Sequence, residues 1–398
     1  MAFISQPPRQ LAAPETSPRW KNVAANGALV FVSLMVAALL LELGSWAWIK
    51  YVRENRLARW EFRATRPPPY RDASYFGPEF LAEAQASVSG RLTDVVELTD
   101  YHGRFFNIRG GFRVTTDLPL RATRRVLMFG GSTLFGQEVP DSQTIASSLQ
   151  RLLNGQGLAW EVRNYGLPGM NAAQQTRILG RIEIRKGDLV LYYHGVNDIY
   201  YLVFGGYREG WVNGVPAFRP VQKLGAVHKL LHAWHERLKG YSFTAQLALD
   251  VYQRGKPSTV TDVNELTRNL EVAQAQFRSA LEGAALIVGN AGAAFVHVLQ
   301  PQLFASRQMS EYEKKLVSNP LETPPGVDAA FRRGYPVLRK VSEALQNKGI
   351  RYVDISDALD GGPETNEVYL DFCHLAHEGN ERVARRILDV LLGTRITR

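Results

Sequence analysis

One cysteine, Cys373, stands in 398 residues. That excludes an intrachain disulfide framework and a cysteine-rich zinc site, and leaves the redox compartment open. Surplus positive charge is missing where a nucleic-acid surface would need it. Residues 1 to 71 hold ten Lys/Arg against four acids, so +6 of the formal +9 lies there and the rest of the chain is close to balanced. A nucleic-acid partner is therefore not expected. No internal repeat or low-complexity tract is present, and proline crowds only at Pro67-Pro68-Pro69. No clustered ligand set points to a metal, and no cofactor is implied. What remains is a chain of 45% hydrophobic residues, enough for one large domain or two ordinary ones.

Beside the excess charge lies an apolar run, Gly27 to Ile49, interrupted by Ser33, Glu42 and Ser45. As a helix it would rise about 35 Å, enough to cross a bilayer. Trp46 and Trp48 fall where an interfacial aromatic belt would sit. Glu42, costly at mid-membrane, lies near one end, where it could reach headgroups or a partner helix. A cleaved signal peptide competes, with Ser45-Trp46-Ala47 as a poor cleavage site. The long n-region and wide apolar run favour an uncleaved anchor. Arg53, Arg56, Arg59, Arg63 and Arg66 recur at three- and four-residue steps and predict a basic helix face running on until Pro67. Membrane lipids are thus an expected partner of residues 27–66, through anionic headgroups or simply with a solvated basic face. Six Lys/Arg follow the span closely against three before it, which by the positive-inside rule leaves the large domain cytoplasmic. Long domains translocate largely regardless of charge, so the flanks do not settle the side.

Residues 67–121 read as a connecting segment with a short helix at 78–86 and extended pieces at 95–98 and 105–114. Asn107, Gly111 and Arg113 are candidates for the rim of a site. From Val126 the chain alternates: strands at 126–130, 160–164, 188–193, 294–299 and 351–354, and helices near 142–153, 171–183, 263–289, 328–347 and 377–392. Strands alternating with helices predict a parallel sheet covered on both faces. Two longer stretches, 199–262 and 302–327, interrupt the series and are candidates for lids or binding loops.

Ligands bind such a sheet at the carboxyl ends of its strands. The first strand ends in Gly130-Gly131-Ser132-Thr133, a turn that could expose a nucleophilic hydroxyl. The second ends in Asn164-Tyr165-Gly166-Leu167-Pro168-Gly169-Met170-Asn171. The third leads to Gly195-Val196-Asn197-Asp198, and after the last strand comes Asp371-Phe372-Cys373-His374. Each alone reads as turn, cap or surface residues; four in order make a stronger pattern.

In these blocks the chain resembles the SGNH hydrolases, the GDSL family of esterases and acyl-ester hydrolases. Gly131 stands where that family's first block ordinarily has aspartate. The resemblance covers residues 122–395, says nothing specific about residues 1–121, and implies a flavodoxin-like three-layer α/β/α domain with a parallel sheet; the apolar run puts one transmembrane helix before it. The apolar run, the basic stretch after it and the resemblance together divide the chain into an N-terminal tail at 1–26, a membrane helix at 27–49, a juxtamembrane helix and linker at 50–121, and the hydrolase-like domain at 122–395. The resemblance implies Ser132 as nucleophile, His374 as base and Asp371 as orienting acid. The oxyanion donors would be the Ser132 and Gly169 N–H groups and the Asn197 side-chain amide. His377 occupies a position where many members carry proline, and His194 reads as a strand-end residue.

Beyond Asn197, the aromatic residues Tyr200, Tyr201 and Tyr207 are candidates for a substrate platform, because rings offer broad apolar faces. Val227 to Tyr241 reads as an amphipathic helix over the site or against the membrane. The activity implied is a membrane-anchored serine esterase acting on an ester or O-acylated carbohydrate of the envelope, with the domain on the periplasmic side. An O-acyltransferase using the same residues and a non-catalytic scaffold in a polysaccharide-export assembly stay open. Oligomeric state is not legible.

Overall fold

A computed structural model gives the fold, and describes residues 19–64, 66–88, 90–92, 96–203, 211–212, 215–216, 242–244, 263–304, 309–319, 323, 326–360 and 367–393. The expectations for Tyr207 and for Val227 to Tyr241 lie outside these residues. The chain divides into two compact units, residues 1–55 with 227–252, and residues 56–226 with 253–398.

The first unit is dominated by the helix α1, Arg19–Ala64, which continues past its own unit's boundary. Its stretch Asn26–Trp48 is long and apolar enough to cross a membrane, and it is exposed except at Ser45, which is buried, and Glu42, which is half-buried. The backbone runs on as helix through Ser45-Trp46-Ala47, the sequence weighed as a cleavage site, and ends at Ala64. Arg66 therefore does not share the helix face predicted for it. It takes a left-handed φ of 57° and turns its guanidinium back to the carbonyls of Tyr70 and Ala73.

The second unit is built on five strands: β4, Arg124–Gly130; β5, Trp160–Asn164; β6, Leu189–His194; β7, Ala294–Leu299; and β8, Arg351–Asp354. They form one wholly parallel sheet in the order β8-β7-β6-β4-β5. A strand covered on both faces has no solvent side, so its residues need not alternate. Val126 to Phe129 on β4 and all of Leu189 to His194 on β6 are buried accordingly.

Helices α4, Ile145–Gly155, and α10, His377–Leu392, pack together on one face. On the other lie α5, Ala172–Leu179; α6, Val196–Val203; α7, Val263–Asn290; and α9, Val327–Gln346. The three-layer α/β/α architecture expected from the alternation is thus observed. Among the described residues three α-helices were not anticipated: the short one at Ser132–Phe135, α6, and α8 at Glu311–Ser318, the last opened by a Ser310–Glu313 capping box inside one of the long interruptions.

The segment before the sheet is packed rather than strung. After α2, Pro78–Ala86, a three-stranded antiparallel sheet forms from β1, Tyr101–His102; β2, Asn107–Arg109; and β3, Phe112–Arg113. Gly110 and Gly111, with φ of 59° and 80°, turn the stretch expected as one extended piece into a hairpin. Tyr70, Phe76, Phe80 and Phe106 form an aromatic cluster, and the Tyr70 hydroxyl donates to the Glu138 carbonyl at 2.9 Å. The rim role suggested for Arg113 is corrected. Its side chain is fully buried in an ion pair with Asp141 at 2.5 Å and donates to the carbonyls of Gly136 and Val139. Asn107 bonds the same carboxylate at 2.8 Å.

Candidate active site

The carboxyl ends of β4, β5 and β6 and the loop before α10 meet at one corner. Ser132 begins α3, a four-residue helix Ser132–Phe135 closed by Gly136 at φ 75°. Asn164, the last residue of β5, holds that helix from beside it: its amide donates to the Leu134 carbonyl at 2.9 Å. Gln175 reaches back from α5 to the Gly130 carbonyl at 2.5 Å. The turn carrying Ser132 is therefore tied to both neighbouring segments by buried side-chain hydrogen bonds, which the low dielectric of the interior strengthens.

Asp371 and His374 lie on a tight loop closed by a bridge between Tyr369 and Leu375 and by the Leu370 N–H to the His374 carbonyl, 2.8 Å. The Leu303 N–H, donating to the Phe372 carbonyl at 2.9 Å, fastens this loop to the segment after β7. Asp371 is fully buried. Its Oδ1 accepts the N–H groups of Cys373 and His374 at 2.9 and 2.7 Å, and its Oδ2 lies 2.6 Å from His374 Nδ1. On the far side of the ring, His374 Nε2 lies 2.8 Å from Ser132 Oγ. An ionised carboxylate only accepts, so Nδ1 carries the proton and Nε2 is left to accept from the serine hydroxyl. Residues 242 apart in sequence are thereby joined in one Ser–His–Asp chain.

Asp371, Cys373 and His374 bring three possible metal-ligand atoms within 4.8 Å of one another. The 2.6 Å Nδ1–Oδ2 separation is that of a direct hydrogen bond. Two ligands each about 2.0–2.2 Å from a zinc ion would stand farther apart. The donor set thus fits a triad better than a metal.

Of the oxyanion candidates, the Asn197 amide lies against Gly131, next to Ser132. The Asn197 amide nitrogen donates to the Met170 carbonyl at 2.9 Å, and a Cβ placed on Gly131 would fall 2.3 Å from that nitrogen and 3.3 Å from that carbonyl. Gly131 therefore leaves the space that the Asn197 amide occupies. Gly169 has a φ of 74°, which a side chain would disfavour, and its carbonyl accepts the Tyr201 hydroxyl at 2.7 Å. Tyr201, read as a platform for substrate, thus spends its hydroxyl on the loop bearing Gly169. Tyr200 stacks on Phe372, with centroids 5.2 Å apart and planes 15° apart.

Asp198 reads in the sequence as a turn or cap residue, and in the structure it joins two helices. Its two oxygens accept the Ala172 and Gly195 N–H groups at 3.1 and 3.2 Å, clamping the start of α5 to the entry of α6. Burial pushes its carboxyl up to about 6, against the downward pull of those N–H groups. Gln300, after β7, donates to the Thr133 hydroxyl at 3.1 Å and is likewise absent from the sequence reading. No periodicity links such residues to the site, so only an acidic residue adjoining Asn197 gave any signal. His194 is buried and neutral, its basicity depressed by burial and by neighbouring His297. His377 sits at the start of α10, 3.5 Å from the Tyr75 hydroxyl through its own Nδ1.

No family model matches the chain, and no curated protein matches it. Among solved structures it is similar to a member of the lipolytic G-D-S-L family from Veillonella parvula, at 11% identity and a TM-score of 0.38, covering 69% of this chain and 100% of that one. It is similar to a GDSL-like lipase from Bacteroides thetaiotaomicron, at 10% identity and a TM-score of 0.35, covering 68% and 88%. An acetylxylan esterase from Geobacillus stearothermophilus is similar at 13% identity and a TM-score of 0.35, covering 68% and 95%.

Proposed function

We propose that the chain is a membrane-anchored serine ester hydrolase of the SGNH type, acting through an acyl-enzyme on an O-acylated carbohydrate or other envelope ester. The observation that carries this reading is the Ser132–His374–Asp371 hydrogen-bonded chain, with steps of 2.8 and 2.6 Å. Ser132 Oγ attacks the ester carbonyl carbon while its proton passes to His374 Nε2. Asp371 fixes the ring and stabilises the imidazolium. The oxygen that becomes negative is met by the N–H groups of Ser132 and Gly169 and by the Asn197 amide; losing one such donor costs about 3 kcal/mol of barrier. The imidazolium then protonates the departing alcohol, and a water deprotonated by the same nitrogen releases the acid.

An anchor places the activity at a membrane, where envelope glycans and lipids carry esters, and the long domain is assigned to the periplasmic side. A fluorophosphonate probe tests the chemistry. Labelling of the full chain is expected, and Ser132→Ala is expected to abolish it; a folded wild-type chain that takes no label would sink the assignment. Acetate release from acetylated sugars should be unaffected by added sugar acceptor, since acceptor-dependent transfer would mark an acyltransferase. Protease added to spheroplasts should reach the domain, and full protection would reverse the topology.

A further inference from the structure

Glu42 is the charge that an apolar anchor should not carry, and the first unit supplies its partner. Six residues separate it from Trp48, so along the helix it lies about 9 Å inside that end of the span. A carboxylate at such depth is costly unless donors reach it. They do: the Ser242 hydroxyl donates at 3.0 Å, the Thr244 N–H at 3.1 Å, and the Phe243 N–H donates to the second oxygen. One turn on, Ser45 Oγ lies 3.2 Å from the Thr244 hydroxyl oxygen. Among the described residues of the span, Ser45 is the one that is buried and Glu42 the one that is half-buried; the rest are exposed. Among the described residues, the buried and half-buried positions of the span are thus the two that residues 242–244 touch. Both partners gain, because backbone N–H groups at membrane depth need an acceptor as much as the carboxylate needs donors.

Resting on the membrane-anchor reading above, we propose that residues 242–244 are a second membrane contact, a segment docked within the lipid layer on the anchor helix through Glu42. Phe243 is 41% exposed, and its ring is assigned to the acyl chains, as are the exposed Leu39, Leu43 and Trp46 of the span. The chain then meets the lipid layer twice, at the anchor and again at residues 242–244.

The full chain in phosphatidylethanolamine–phosphatidylglycerol nanodiscs tests this, in a Cys373→Ala background. Ser45→Cys with Thr244→Cys should form a disulfide on mild oxidation. Glu42→Leu should slow its formation on the order of tenfold, the effect of losing a charged hydrogen-bond acceptor, with Glu42→Gln falling between. Environment-sensitive labels on Phe243→Cys and Leu34→Cys should both be quenched by lipids carrying a nitroxide in the acyl chain. Quenching at 34 but not at 243, an absent disulfide in inserted protein, or an unchanged rate in Glu42→Leu would overturn the second contact while leaving the anchor intact. An unquenched label at 34 would overturn the anchor reading itself, and the second contact with it.

Discussion

Gly131 shows how a missing side chain can act at the site. The Asn197 amide nitrogen lies 2.3 Å from where a Cβ at 131 would stand, closer than any real contact allows. Gly131→Ala has no backbone strain to cause, since φ is −85° there. The flexible amide gives way instead, and it is the group proposed to meet the oxyanion. The variant should fold normally and lose about 10²–10³-fold in kcat with KM little changed, the cost of one displaced donor. Steady-state kinetics on a p-nitrophenyl ester would check it, and an unchanged kcat would remove Asn197 from the oxyanion site. Nothing at position 131 of the sequence announces that role, because the neighbour that fills the space is 66 residues away.

Among the elements, the small sheet β1–β3 bears on the nucleophile through Arg113. Its guanidinium lies 4.1 Å from the Phe106 ring centroid and 5.3 Å from that of Phe135, and it caps the carbonyl of Gly136, where the Ser132 helix ends. Burial lowers the basicity of the guanidinium, and Asp141 offsets part of that. Breaking a buried pair strands its partner, so Arg113→Met should destabilise the protein by about 3–5 kcal/mol, read from chemical denaturation. Arg113→Lys should recover only part, because an ammonium lacks the planar fork that serves Asp141 and two carbonyls together. A loss below the error of the measurement would mean that Asn107 and water suffice for Asp141. The five parallel strands and the helices between them were legible from apolar runs and periodicity. The hairpin at 107–113 and the helix α6 were not: the first depends on two positive φ values at Gly110 and Gly111, the second follows a glycine at φ 128° that reads as a turn.

For the whole molecule, buried titrating groups set the response to acid, and they pull in opposite directions. Asp198 is raised from its ordinary value to about 6, so its contribution is fully present below pH 4 and is lost as pH rises through 6, about 3 kcal/mol in all. His297 is driven by burial from 6.5 to about 3, so its contribution is present above pH 6.5 and is lost as pH falls toward 3, about 5 kcal/mol. His194 is depressed in the same sense. The histidines outweigh the carboxyl. The Tm of the full chain in detergent should therefore fall steadily from pH 7 to pH 4, followed by circular dichroism. A Tm that rises on acidification to pH 5 would mean that Asp198 dominates.

The sequence by itself determined the layered α/β architecture, the apolar helix and the four blocks from which site residues come, because burial on two faces and helical periodicity are local properties of the chain. It could not determine which atoms meet. The 2.8 Å step from Ser132 to His374, the clamp at Asp198 and the use of Glu42 each join segments with no periodic relation, across 242, 26 and about 200 residues. Distances of that kind follow from how strand ends and loops pack against one another, and only the tertiary structure decides them.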